Sequence, residues 1–151
     1  VDKQEILRRC EITNGMADRE VEAFSDIFQI VHFQRGDIIF REGETSNDLY
    51  VIDKGIIDVV IYSKVHLGES ERIAKLKDGD IFGEFSMLDG AERSATLIAE
   101  EDTDLMVAAY IDFHRFLENR EHVGFLVMRN LARTLTVRLR KMNHEVQSAL
   151  L

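Results

Sequence analysis

The chain reads as an α+β domain. It is expected to form a β-roll, of the double-stranded β-helix or jelly-roll-like kind, with N-terminal helices, a short helix set among the strands and a long C-terminal helix. Three observations point there. Short apolar or alternating runs broken by glycine fill residues 30–110, the pattern of a sheet that curls its edges away. Both ends of the chain instead carry apolar residues at spacings of three and four, the period of a helix. Finally, Gly36-Asp37-Ile38-Ile39-Phe40 is echoed by Gly79-Asp80-Ile81-Phe82. Two similar corners on a rolled sheet would produce such an echo.

Residues 1–30 read as helical. Val21, Phe24, Ile27 and Phe28 share one face, and Asp18 is in place to cap that helix. Strands are expected at Val31-His32-Phe33, Asp37–Phe40, Leu49–Ile52 and Ile56–Tyr62, with Gly36, Gly43, Gly55, Gly68 and Gly79 as turns. Further strands are expected at Ser94–Ala99 and Thr103–Tyr110. Phe113, Phe116 and Leu117 then define a short helix. Val123, Leu126, Val127, Leu131, Leu135, Leu139, Met142 and Val146 form an apolar stripe on a long one, uninterrupted because the chain has no proline. One domain over 1–151 is expected, with the roll at about 30–110 and the C-terminal helices at about 111–148.

Composition narrows the function. With 45% hydrophobic and 31% charged residues, the 151-residue chain can bury a core. No apolar run is long enough for a membrane-spanning helix, and a secretory leader is not expected. A single cysteine, Cys10, cannot build a disulfide framework, so a reducing, cytoplasmic setting is expected. Residues 1–119 carry 13 Lys and Arg against 26 Asp and Glu, whereas 120–151 carry six against two. Nucleic acid is a poor partner for the acidic part. The basic end suits either a partner's acidic surface or plain solvation.

The chemistry concentrates in Phe82-Gly83-Glu84-Phe85-Ser86-Met87-Leu88-Asp89-Gly90-Ala91-Glu92-Arg93-Ser94-Ala95-Thr96. Gly83 follows a strand and opens a helical turn whose first N–H groups have no partners and suit an anion. Arg93, beyond the Asp89-Gly90 turn, is positioned to swing back over that helix start. A guanidinium fits phosphate through its planar fork, and Glu84 beside it is an acceptor for hydroxyl groups. Taken alone, the same residues also fit a surface Glu–Arg pair of little energetic weight.

The fuller pattern closely resembles the phosphate-binding cassette of the cyclic nucleotide-binding domain family. That family includes the catabolite activator protein, protein kinase A regulatory subunits and nucleotide-gated channels. The likeness runs through Phe33–Gly43, Leu49–Ile52, Lys54-Gly55 and Leu76–Phe82 as well, in the family's order. The resemblance implies that Glu84 accepts the ribose 2′-hydroxyl and Arg93 pairs with the cyclic phosphate. Gly83, Phe85, Ser86, Ser94 and Ala95 would complete the cradle. It implies a base pocket walled by Ile73 and Leu76, with Thr134 or Arg138 reaching in from the final helix. The ligand would be cAMP ahead of cGMP, with no cofactor and no catalytic or metal residues. The chain would act as a regulatory module whose C-terminal helix moves with ligand and carries a second copy or an effector. The family's usual proline before that helix is replaced by the stretch Asn119-Arg120-Glu121-His122.

Relatives that regulate transcription continue into a helix-turn-helix module about where this chain stops, at Leu151. Direct contact with DNA is therefore not expected of it, and a start at Val1 fits a portion of something longer. Two rival functions stay open. One is a degenerate fold kept as an interaction or dimerisation platform. The other is a metal-dependent enzyme on a similar roll, against which the five histidines show no His-x-His pair.

Overall fold

A computed structural model describes residues 2–151. In chain order it has α1 (Lys3–Arg8), a 3-10 turn (Glu11–Thr13), α2 (Asp18–Ser25), β1 (Phe28–Phe33), β2 (Ile38–Phe40), β3 (Leu49–Lys54), β4 (Ile57–Tyr62), β5 (Ser70–Leu76), β6 (Ile81–Phe82), α3 (Glu84–Asp89), β7 (Thr96–Ala99), β8 (Thr103–Ala108), α4 (Tyr110–Glu118) and α5 (Glu121–Ala149). The strands form two four-stranded antiparallel sheets, ordered β1-β8-β3-β6 and β2-β7-β4-β5. The expected α+β roll with flanking helices is present.

The first sheet is covered on both faces, and the sequence of β3 shows why. Leu49 and Val51 join a core shared with Leu7, Phe24, Phe113 and Val127 of the helices, whereas Ile52 faces inward with Phe40, Phe82, Leu97 and Leu105. A strand buried on both sides reads as an unbroken apolar run. Strand β4 in the second sheet instead mixes buried Ile57 and Val60 with exposed Ile61 and Tyr62.

The repeated Gly-Asp motif makes two equivalent corners, one feeding each sheet. Gly36 N–H donates to Ala99 O at 2.7 Å and Ala99 N–H returns to Asp37 O at 2.9 Å. Gly79 N–H likewise donates to Ile52 O at 2.8 Å, with Ile52 N–H returning to Asp80 O at 2.9 Å. Each aspartate also turns its carboxylate back onto the N–H three residues earlier, Gln34 at 2.8 Å and Lys77 at 2.9 Å. Positive φ at Gly36 (88°) and Gly79 (86°) explains the glycines.

Some elements begin elsewhere than the sequence suggests. Helix α2 ends at Ser25, and Phe28 opens β1, paired with Ala108. The spacing of Ile27 and Phe28 mimics a helical face, but the β-prone run Phe28–Phe33 wins through its pairing with β8. The cap of α2 is Ala17, whose N–H is held by Glu20 Oε1 at 2.8 Å, and Asp18 is the first helical residue. Strand β7 starts at Thr96 rather than Ser94, and Tyr110 opens α4.

Helix α5 is docked only in its first half. Val123, Leu126, Val127 and Leu131 are buried, while Leu139, Met142 and Val146 are 58–59% exposed. The docked half is anchored by Asn130, fully buried, whose amide donates to Ile12 O at 3.0 Å and Asn14 O at 2.9 Å. These bonds tie α5 to the 3-10 turn of the N-terminal layer.

Two outcomes follow from this packing. Asn130→Ala is expected to cost about 1–3 kcal/mol by stranding two carbonyls, read as a lower urea midpoint with an unchanged m-value. Burial pushes the Cys10 thiol up to about 11, so iodoacetamide at pH 8 is expected to leave the folded protein unlabelled and to alkylate it fully in denaturant.

Candidate functional site

The site is built where β6 runs into α3. Gly83 takes φ 81° and ψ 4°, a left-handed turn that caps the helix. A Cβ there would lie 2.7 Å from Asp48 O and 2.9 Å from Arg93 Nη1, so the glycine is required by space as well as by φ. The first backbone bond of α3 is Met87 N–H to Gly83 O. The N–H groups of Glu84, Phe85 and Ser86 therefore lack helical partners.

Arg93 does swing back over this helix start, and it is 3% exposed. Its Nε donates to Ser46 Oγ, Nη1 to Gly83 O and Nη2 to Asp48 O, each at 3.0 Å. The guanidinium also lies over the Phe40 ring, 4.0 Å from its centroid. The backbone on either side is clamped by the β2–β3 loop, with Gly43 N–H on Arg93 O and Arg93 N–H on Glu44 O, both at 2.8 Å. Burial pulls the guanidinium down from its ordinary value, opposed by nearby Tyr50, Asp48, Glu44 and Glu84. An arginine nonetheless stays charged in proteins.

Among the described residues Arg93 makes no ion pair. Three of its five N–H donors are engaged by neutral oxygens, which leaves one on each Nη. Buried charges are ordinarily paired, so a buried cation held only by carbonyls and a hydroxyl is an anion site in waiting. The arrangement is thus not the surface Glu–Arg pair that the residues alone also allowed.

Glu84, 3% exposed, has a different cation. Arg138 reaches from α5 to its Oε1 and also donates to Ile81 O. Ser86 and Ala95 are buried, Phe85 is 51% exposed and Ser94 lies at the surface. An open cleft of about 580 Å³ is lined by Glu42, Lys64, Ala91, Glu92, Arg93 and Ser94. Ile73 and Leu76 sit on β5, Ile73 46% exposed and Leu76 half-buried against the inner core. Thr134 is half-buried and bonds its own helix at Asn130 O. The structure therefore gathers Gly83, Glu84, Arg93 and Arg138, while Ile73 and Thr134 make no hydrogen bond to any of the four.

Sequence reasoning missed Ser46, Asp48 and Phe40, which hold the guanidinium. The polar run Glu44-Thr45-Ser46-Asn47-Asp48 reads as an ordinary loop, and only tertiary pairing brings it against Arg93. Among the described residues no three His, Cys, Asp or Glu side chains converge as a metal site, and no helix is long and apolar enough to cross a membrane.

Comparison with known proteins identifies the family. The family model for the cyclic nucleotide-binding domain matches residues 30–120. This chain belongs to that family. A cyclic AMP receptor protein of Thermus thermophilus is 35% identical over 134 residues, which is 88% of this chain and 59% of that protein. A cGMP-dependent protein kinase of Toxoplasma gondii is 26% identical over 129 residues, 85% of this chain and 12% of the kinase. The crystal structure of a cyclic nucleotide-binding domain from Methylobacillus flagellatus superposes with a TM-score of 0.87 at 27% identity, covering 98% of this chain and 82% of that one. The chain therefore spans less than two thirds of the curated relatives it matches. The family is a regulatory binding domain, and the kinase likeness is confined to a small part of that enzyme.

Gly83→Ala is expected to destabilise the fold by about 2 kcal/mol or more, from the left-handed φ and the clash with Asp48 O. Differential scanning calorimetry reads this as a lowered Tm.

Proposed function

We propose that the chain binds a cyclic nucleotide, cAMP ahead of cGMP, and passes binding on to the position of α5. The observation that carries this is the buried Arg93 guanidinium without a counter-ion, set over an open helix start. The cyclic phosphate supplies the missing negative charge. Its oxygens would take the two unused Nη donors, the N–H groups of Glu84, Phe85 and Ser86, and the Ser94 hydroxyl with the Ala95 amide. The free oxygen of Glu84 would accept the ribose 2′-hydroxyl. Preference for cAMP rests on the relative that is named for it and is the more similar of the two curated proteins compared.

In this reading residues 1–151 act as one binding unit and do no chemistry on the ligand. Transmission is a population shift, and ligand moves α5 only by its differential affinity for the two helix positions. The exposed second half of α5, with Leu139, Met142 and Val146 in line, is the surface for a second copy or an attached effector.

A platform without ligand is the competing reading, favoured by that same exposed stripe. Calorimetric titration with cAMP and cGMP separates the two. Binding at micromolar Kd or tighter is expected for the protein freed of nucleotide by refolding. Arg93→Ala is expected to weaken it by about 2–5 kcal/mol, as for other truncated buried charge contacts. No heat and no thermal stabilisation with either nucleotide would leave the platform.

A further inference from the structure

The carboxylate assigned to the sugar is already held by a residue from the far helix. Glu84 lies at the start of α3, inside the roll, and its Oε1 accepts from Arg138 Nη1. The other Nη of Arg138 donates to Ile81 O on β6. The arginine therefore bridges the strand before the cassette and the first residue of its helix. Glu84 Oε2 accepts no hydrogen bond from any described residue. Among the described residues Arg138 is the one cation within ion-pair distance of Glu84; the nearby Arg93 spends its bonds on Gly83 O, Asp48 O and Ser46 and acts on Glu84 only through space.

Arg138 is also where the distal half of α5 touches the roll. Beyond Leu131 the helix buries no side chain, and Arg138 is its side-chain hydrogen bond to the strands and cassette. Ribose recognition and helix docking thus share one ion pair.

We propose that Arg138 is the positioning residue that makes the site select a ribose over a 2′-deoxyribose. It does so by holding Glu84 in a fixed direction, with Oε2 left for the hydroxyl. The proposal rests on the nucleotide reading above. It assigns Arg138 to the sugar end of the ligand rather than to the base. A carboxylate buried to 3% exposure has few partners that can fix its direction, and Arg138 is the side chain that bonds it. Without Arg138, Glu84 would lose its hydrogen-bond partner and with it its fixed direction. The consequence is that a ligand lacking the 2′-hydroxyl would bind without sensing whether α5 is docked.

The test is a titration of the full chain with the tighter-binding cyclic nucleotide and with its 2′-deoxy analogue. Wild type is expected to prefer the ribose form by about 10- to 100-fold, the worth of a hydrogen bond to a charged acceptor. Arg138→Met, which keeps the stem and removes the charge, is expected to lose that preference. The ribose ligand should weaken to the level of the analogue, and the analogue should change by less than about threefold. Arg138→Lys should restore part of the ratio, since it returns a cation without the planar fork.

An Arg138→Met variant that keeps the wild-type ratio, or that weakens both ligands equally, overturns the proposal. In the second case Arg138 would merely dock the helix. Wild type binding both ligands equally also overturns it while leaving the phosphate site standing. Wild type binding neither ligand sinks the underlying nucleotide reading instead. Should Arg138→Met not fold, the ratio is read in Arg138→Gln, where loss of the preference supports the proposal and an unchanged ratio overturns it.

Discussion

A buried guanidinium without an ion pair is the constraint around which this domain is organised. Taking a cation out of water is costly unless something of opposite polarity replaces the solvent. Here Gly83 O, Asp48 O and Ser46 Oγ do so, backed by the face of Phe40. These groups come from three segments: Gly83 from the strand-to-helix corner, Ser46 and Asp48 from the β2–β3 loop, and Phe40 from the end of β2. Holding Arg93 therefore requires the two sheets to close on one another at this point. The same closure brings Phe40, Tyr50 and Phe82 into one aromatic cluster, with Tyr50 and Phe82 stacked 4.7 Å apart. The binding site and the closure of the roll are one arrangement.

The two ionisable residues of the motif have contrasting surroundings, and that contrast divides their roles. Arg93 is immobilised by neutral dipoles from the roll and retains an unbalanced positive charge. Glu84 is balanced, but by a residue from a helix that is otherwise loosely held at that point. A ligand carrying an anion at one end and a hydroxyl at the other spans a fixed contact and a movable one. In the proposed reading, affinity and conformational response would come from different ends of one small molecule.

Much of this was legible in the sequence. The Gly-Asp echo foretold two equivalent corners because a turn that reuses one backbone solution reuses its residues. Gly83 and Arg93 could be placed together because a strand-to-helix glycine followed by a tight Asp89-Gly90 turn leaves the chain few directions in which to return. The boundary at Phe28 was not legible, since apolar spacing suits a helix and only the pairing with Ala108 on β8 decides for a strand. The holders of Arg93, Ser46 and Asp48, lie 47 and 45 residues away and carry no local signal. Nor does the apolar stripe of α5 reveal where docking stops. Its period continues unbroken past Leu131, whereas the surface available to cover it ends.

The amide of Asn130 gives the helical layer a mechanical property. Both of its donors are spent on carbonyls of the N-terminal segment, at Ile12 and Asn14. The segment joining α1 to α2 is thereby fastened to α5 next to the point where that helix leaves the roll. A rotation of α5 about this region would drag the N-terminal helices with it, much as turning an axle turns both wheels. A displacement of α5 would therefore be felt at the N-terminal helices as well as at its own far end, and machinery fused upstream would sense it as directly as machinery fused downstream.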